Sequence, residues 1–265
     1  MEHHEKILLI GYGAIAKSLV KHLPKPSLCG VVLRSGSPSQ AAAARDGIRV
    51  FNSLGQALVE PFTIAVECAG ADALRELGAQ ILRSGRSLIA ASVGALADDG
   101  FREHLIDVAH KGCSRLIIPT GAVAGVDGLA AARLEGLSRV DYTGSKPPKA
   151  WLNTHAEKVC DLNTIEVPTV VFKGTAREAA KLFPKNANVT ATIALAGIGL
   201  DRTKATLMAV PNLDRNIHEM EAEGGFGALK VLVSNNPSKD NPKTSALVAL
   251  SILRILHDQK APLSL

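Results

Sequence analysis

The stretch Lys6-Ile7-Leu8-Leu9-Ile10-Gly11-Tyr12-Gly13-Ala14-Ile15-Ala16 decides the architecture, because a short apolar run passes directly into small residues and then into a helical pattern. An unbroken apolar run of this length marks a strand buried on both faces of a parallel sheet. Leu19, Val20 and Leu23 then recur at helical spacing until Pro24. The order is strand, glycine turn, helix, and in that setting the G-x-G-x-x-A spacing acquires a physical use. Gly11 permits the tight turn, Gly13 lets the backbone approach a pyrophosphate, and Ala16 allows close packing of helix on strand. The N–H groups at the helix start, those of Ala14 and Ile15 among them, supply partial positive charge for phosphates. A purely structural turn is the competing reading.

Outward from this stretch the alternation continues. Cys29 to Leu33 is a second buried strand, and the Ala-rich segment Gln40 to Arg45 has strong helix propensity. Strands are expected at Ile48 to Phe51, Thr63 to Cys68, Ser87 to Ala91 and Arg115 to Ile118, with helices from about Ser53, Asp72 and Asp98. Strands alternating with helices require right-handed crossovers and a parallel sheet covered on both faces, a Rossmann-type doubly wound α/β fold. After Pro119-Thr120-Gly121-Ala122 the rhythm changes. Val140 to Lys146, Thr169 to Gly174, Lys204 to Val210 and Ile217 to Glu223 are longer and more polar, as in an open mixed sheet with one solvated or ligand-facing side. Helices are expected at Arg177 to Phe183, Val189 to Gly199 and Lys243 to Gln259. The domain plan is therefore a dinucleotide-binding domain over 1–120, a second α+β domain for substrate, catalysis and dimerisation over 121–240, and a terminal helix within 241–265 packing back on the first.

Bulk properties narrow the function. A chain of 265 residues, 46% hydrophobic, can bury the cores of two domains. The 30 Lys plus Arg exceed 25 Asp plus Glu by five, but the basic residues are scattered and aromatics make up only 3%. A nucleic-acid surface needs clustered charge and stacking rings, so that class of partner is set aside. Cys29, Cys68, Cys113 and Cys160 stand far apart, as neither metal ligands nor a disulfide scaffold, and they read as reduced thiols. No metal is expected. The polar start Met1 to Lys6 lacks the apolar core of a signal peptide, and no apolar run reaches the roughly 20 residues that span a bilayer. The expected setting is the cytoplasm, away from membranes.

An NAD-selective fold usually places a carboxylate about 20 positions beyond the glycines to bind the ribose 2′-hydroxyl. Arg34 and Ser35 stand there instead, and an arginine can pair with a 2′-phosphate or stack on adenine. The cofactor is thus NAD or NADP, with NADP accepted. Glu67-Cys68-Ala69-Gly70 and Ser92-Val93-Gly94-Ala95 close two further strands at the edge where ligands of such sheets bind, which makes Cys68 and Ala69 candidate cofactor neighbours. Both segments are equally readable as ordinary strand-to-helix turns.

Three segments of the second half are too specific to be mere connections: 119–127 (PTGAVAGVD), 183–192 (FPKNANVTAT) and 212–219 (NLDRNIHE). Together with Gly11 to Ala16 and Ser92 to Asp98, in this order and at compatible spacing, they make the chain resemble the L-aspartate dehydrogenase family over nearly its whole length. The resemblance implies NAD- or NADP-dependent oxidative deamination of L-aspartate, through iminosuccinate, to oxaloacetate and ammonia. In some organisms iminosuccinate instead feeds NAD biosynthesis. It also implies that Ala122 and Asn188 touch the nicotinamide cofactor and that His218 is the catalytic histidine. Thr120 departs from the Ser of many members but keeps the hydroxyl.

The residues carry their own reading beside the resemblance. A histidine with an ordinary pKa near 6.5 suits proton transfer at neutral pH, and His218 follows a polar turn near the start of an expected strand. A structural histidine is the bland alternative; of the others only His155 is held in reserve. Asn188 heads an Ala/Thr-rich helix, where it is also a favoured N-cap. Lys146, Lys173, Lys185 and Arg215 are candidate partners for two substrate carboxylates, none singled out, and the helix start near Ala124 is a further anion site. Rival functions are a homoserine dehydrogenase or dihydrodipicolinate reductase type of enzyme, and a non-catalytic NADP sensor. An open sheet commonly covers itself with a second copy, so a homodimer is expected.

Overall fold

The computed structural model describes residues 6–184, 186–238, 241–259 and 261–263, with 237–238 and 241–244 described by backbone alone. The chain divides into two compact units, one formed by 1–119 with 249–265 and the other by 120–248.

The first unit runs β1 (Ile7–Ile10), α1 (Ala14–His22), β2 (Leu28–Val32), α2 (Gln40–Arg45), β3 (Val50–Phe51), α3 (Leu54–Leu58), β4 (Ile64–Glu67), α4 (Ala71–Arg83), β5 (Ser87–Ala90), α5 (Asp99–Lys111) and β6 (Leu116–Ile117). All strands are parallel, in the order β3-β2-β1-β4-β5-β6, which reverses direction between β1 and β4. This is the doubly wound dinucleotide-binding order, with its ligand crevice beyond the carboxyl ends of the strands at the reversal. β1 is buried at every residue because helices cover both faces of the sheet. Local chemistry sets the helix starts: Ser53 caps α3 through Gln56 N–H, and Asp98 caps α5 through Phe101 N–H.

The second unit runs α6 (Val126–Ala132), β7 (Leu137–Lys146), β8 (Thr169–Thr175), α7 (Ala176–Leu182), α8 (Asn188–Ala196), β9 (Lys204–Ala209), β10 (Asn216–Gly224), β11 (Gly227–Asn235), β12 (Pro237–Ser238) and β13 (Asn241–Ser245). Five strands form a sheet in the order β11-β10-β7-β9-β8, antiparallel except for the β7–β9 pair. Alternation along β7 and β10 turns Val140, Tyr142, Met220 and Ala222 into the core, while Arg139, Asp141, Glu219 and Glu221 face the other way. The core face is filled by Leu129 of α6, Ala179 of α7 and Ile193 of α8.

α9 (Leu247–Asp258) closes the chain. Its Ala249, Ile252 and Leu256 belong to the first unit's core, together with Ile7, Leu9 and Leu19. The helix starts four residues later than the expected Lys243, because 241–245 pairs with 237–238 instead. Correspondingly, 241–248 goes with the second unit and not with the terminal segment. Asn188 is the first residue of α8, and the cap position is held by Ala187, so the N-cap reading of Asn188 does not hold. Among the described residues no helix is long and apolar enough to cross a membrane.

Candidate functional site

In the first unit the glycine turn joins β1 to α1 at the carboxyl edge of the sheet. Gly11 has φ +88°, and a Cβ there would stand 2.7 Å from Ala69 Cβ and 2.9 Å from Ala69 Cα, so this position both needs the left-handed backbone and lacks room. Gly11 N–H donates to Val32 carbonyl, and the Tyr12 ring turns inward, its hydroxyl donating to Asp46 Oδ2 at 2.6 Å. The turn is thereby tied to β2 and to the end of α2. Gly13 differs: it is exposed, with ordinary φ, and a Cβ there would meet nothing within 4 Å. Open space above a helix start with no acidic residue in its first turn is what a dinucleotide pyrophosphate requires. The residues present therefore fit an NAD(P) group, with Ala14 and Ile15 half-buried at the head of α1.

The neighbouring loops are held by one carboxylate that sequence reading left unassigned. Glu67, 1% exposed at the end of β4, accepts from Ala69 N–H and Gly70 N–H at 2.8 Å each, and from Ser92 N–H and Oγ at 3.1 and 2.9 Å. Burial raises its pKa against those four bonds. It clamps the loop after β4 to the loop after β5. Ala69 stays exposed, while the Cys68 thiol lies under the glycine turn, donating to the carbonyls of Ile10 and Gly11, and burial pushes its pKa up. Cys68 thus braces the turn through its side chain. Arg34 and Ser35 are exposed beyond the end of β2, with the Arg34 carbonyl accepting from Gln40 Nε2.

In the second unit the end of β7 and the start of β10 lie side by side. His218 is opposite Gly144, with Tyr142 two residues before it and Lys146 two residues after it on the same sheet face. The Tyr142 hydroxyl and His218 Nδ1 share a hydrogen bond of 2.8 Å, the rings stacked at 6.0 Å between centroids. Gly144 makes this possible, since a Cβ there would collide with the Tyr142 hydroxyl. His218 is 3% exposed, and burial, with the charge of Lys146 added, lowers its pKa from 6.5 to about 3. The imidazole is therefore neutral across the physiological range. Burial raises the Tyr142 pKa, offset in part by the Thr190 hydroxyl of α8.

Lys146 is 8% exposed and donates from Nζ to Asn186 Oδ1 at 2.9 Å. Ala122 is buried, and its carbonyl accepts from Asn235 Nδ2 at 2.7 Å, which pins the 119–125 turn to the end of β11. Asn188 is exposed, two residues beyond Asn186. The structure thus gathers His218, Tyr142, Lys146 and Asn186. Lys173 and Arg215 are exposed, and Lys185 lies outside the described residues. His155 lines a cavity of about 340 Å³ that also includes Asn186, its ring edge-on to Phe183. α6 has seven residues and starts at Val126, after the expected Ala124.

A doubly wound dinucleotide unit, and an open-sheet unit bearing a buried neutral imidazole beside an ammonium, define an NAD(P)-dependent oxidoreductase. Comparison with known proteins agrees. The homoserine dehydrogenase NAD-binding domain matches residues 11–119, and the aspartate dehydrogenase C-terminal domain matches residues 127–259. The L-aspartate dehydrogenase of Ralstonia nicotianae is 41% identical over 98% of this chain and 99% of that protein. That of Ruegeria pomeroyi is 44% identical over 97% and 93%. The crystal structure of aspartate dehydrogenase from Thermotoga maritima superposes with a TM-score of 0.79 at 28% identity, covering 99% of this chain and 100% of that one. The chain belongs to the aspartate dehydrogenase family.

Proposed function

We propose that this enzyme oxidatively deaminates L-aspartate with NADP or NAD, giving iminosuccinate and then oxaloacetate and ammonia. The observation that carries the reading is the buried His218–Tyr142 pair in a chain that matches L-aspartate dehydrogenases from end to end. In the tautomer that donates Nδ1–H to Tyr142, His218 Nε2 keeps a lone pair. That nitrogen takes the proton released as the amine becomes an imine, returns it to the imine nitrogen to give the iminium, and, neutral again, takes a proton from the water that adds to the imine carbon. When bound, the nicotinamide supplies the acceptor for the hydride that leaves substrate C2. Gly11, Gly13, Ala14 and Ile15 hold the pyrophosphate, Arg34 and Ser35 meet the adenosine ribose, and the Cys68–Ala69 loop, Ala122 and Asn188 are assigned to the rest of the cofactor.

Three finer assignments go with this reading. The solvent-side face of the second unit's sheet carries exposed Leu232 and Val170 as well as ion pairs of Arg139 and Lys230, a surface suited to a homodimer. The enzyme acts in the cytoplasm, and iminosuccinate is a branch point toward NAD biosynthesis. The test is to mix purified protein with L-aspartate and each cofactor and follow reduced-cofactor absorbance, with L-homoserine, L-glutamate and D-aspartate as controls. Turnover confined to L-aspartate is expected; preference for L-homoserine overturns the assignment. Light scattering after size exclusion checks the dimer, and a monomer overturns it.

A further inference from the structure

We propose that Glu67 is a positioning residue for hydride transfer, holding the loops after β4 and β5 at the spacing that seats the nicotinamide half of the cofactor. The inference rests on the assignment of the Cys68–Ala69 loop to the cofactor made above. A carboxylate 1% exposed at the end of an otherwise apolar strand is costly, because its charge is taken out of water. Four donors offset that cost. Oε1 accepts from Ala69 N–H and Gly70 N–H at 2.8 Å each and from Ser92 Oγ at 2.9 Å, while Oε2 accepts from Ser92 N–H at 3.1 Å. Every partner donates, which suits the ionised group with its two oxygens and no proton. Glutamine, the neutral side chain of the same length, has one oxygen. The charge is therefore what lets a single residue hold both loops.

The clamp reaches a third loop. A Cβ on Gly11 would stand 2.7 Å from Ala69 Cβ, so the glycine turn lies directly against the loop after β4, and the Cys68 thiol donates to the carbonyls of Ile10 and Gly11. The turn assigned to the pyrophosphate and the loops beyond the strand reversal are thereby one connected edge. In a doubly wound sheet the dinucleotide lies across that reversal, one mononucleotide half beyond β1 to β3 and the other beyond β4 to β6. Arg34 follows β2, on the adenosine side, so the loops joined by Glu67 are on the nicotinamide side. The loop after β4 is shaped for a ligand lying against it. Ala69 and Gly70 direct their N–H groups inward to Glu67, which leaves Ala69 exposed. Gly70 has φ +116°, and a Cβ there would meet nothing within 4 Å, so its backbone borders open space in a conformation that favours glycine. Hydride transfer depends on how closely the ring is held, since a displacement of about 1 Å costs about 10²-fold in rate. Glu67 thus acts on the reaction without touching a reacting atom.

The test uses Glu67→Gln and Ser92→Ala in the full-length enzyme. With its oxygen on Ala69, Gly70 and Ser92 Oγ, the glutamine sets its NH2 against Ser92 N–H, donor against donor; Ser92→Ala removes one bond and keeps the carboxylate. In Glu67→Gln the Kd for reduced cofactor should rise about tenfold, while the Kd for ADP-ribose or its 2′-phosphate, which lack the nicotinamide, stays within about twofold. The fluorescence of the bound reduced nicotinamide should move toward that of free cofactor, and single-turnover hydride transfer should slow about 10²-fold. Ser92→Ala should give the same pattern at about threefold in Kd. A structural role alone would weaken fragment and cofactor equally, and that result overturns the proposal. So does a folded Glu67→Gln with wild-type Kd, fluorescence and hydride transfer. If Glu67→Gln does not fold, Ser92→Ala decides, and unchanged cofactor Kd and fluorescence in it overturn the proposal. Should wild type bind cofactor but fail to turn over L-aspartate, the substrate reading falls, while a loss confined to the nicotinamide-bearing ligand in Glu67→Gln still supports the positioning role.

Discussion

In the first unit the groups offered to a ligand belong to the backbone. Gly11 is held at φ +88°, Gly13 leaves open space, and the first amides of α1 point out of the sheet edge. In the second unit the corresponding groups are side chains taken from separate strands and loops: His218 from β10, Tyr142 and Lys146 from β7, and Asn186 ahead of α8. In the proposed function the first arrangement is assigned to the pyrophosphate, and the second to the substrate and its proton. The first half matches a homoserine dehydrogenase NAD-binding domain and the second the aspartate dehydrogenase C-terminal domain. The proposed function thus assigns shared cofactor chemistry to backbone geometry and specific chemistry to side chains.

If that division is right, side-chain and backbone changes should fail differently. The largest effect is expected for His218→Asn: a kcat loss of about 10²- to 10⁴-fold, the range of general acid–base catalysis, with cofactor Kd nearly unchanged. Single-turnover kinetics with a cofactor titration checks both, and a variant with wild-type kcat breaks the assignment. The glycines come next and separate protein strain from ligand contact. Gly11→Ala forces an L residue to φ +88° against Ala69 and should cost about 2–3 kcal/mol of stability as well as cofactor binding. Gly13→Ala meets no protein atom within 4 Å, so its melting temperature should stay at the wild-type value. Its cofactor Kd should nevertheless rise roughly tenfold, about 1.4 kcal/mol. If Gly13→Ala binds cofactor normally, the pyrophosphate does not lie over that residue.

The same division governs how much was legible beforehand. The glycine turn is local: strand, turn and helix occupy consecutive residues, so their spacing displays the fold and the cofactor site at once. The side-chain site is assembled by register. Nothing near His218 in the chain announces that Gly144 will face it, or that the missing side chain there leaves room for the Tyr142 hydroxyl. Glu67 went unassigned because a carboxylate closing an apolar strand reads as the edge of a turn, although its four bonds join two loops. β11 is absent from the expected strands even though Leu229, Val231 and Val233 alternate with exposed Lys230 and Leu232, a signal that was present in the sequence. The start of α9 is ambiguous in the sequence because Lys243 to Ser245 suits helical spacing as well as the short pairing with 237–238.

Smaller effects sharpen the comparison at its two ends. His218 protonates at about 3 in the folded chain and near its ordinary 6.5 when unfolded. Above pH 6.5 both states carry the neutral ring and the full stability is present. As pH falls from there toward 3 only the unfolded chain takes up the proton, so folding weakens by up to about 1.4 kcal/mol per pH unit from this residue. Denaturant melts between pH 7 and pH 5 should show this slope in wild type and lose that part of it in His218→Gln. Equal slopes would mean that the imidazole is hydrated and not buried. The smallest effect belongs to Arg34, which is exposed beyond β2 and has no carboxylate beside it in the sequence to favour the 2′-hydroxyl. Arg34→Ala should reduce the ratio of kcat/KM for NADP over NAD by about fivefold, near 1 kcal/mol, because an exposed guanidinium–phosphate pair is screened by solvent. It should leave the KM for L-aspartate in place, as a residue of the dinucleotide unit that takes no part in reading the substrate. A change in that KM instead would show that the two kinds of site are not energetically separable, and would put the division between backbone and side-chain recognition in question.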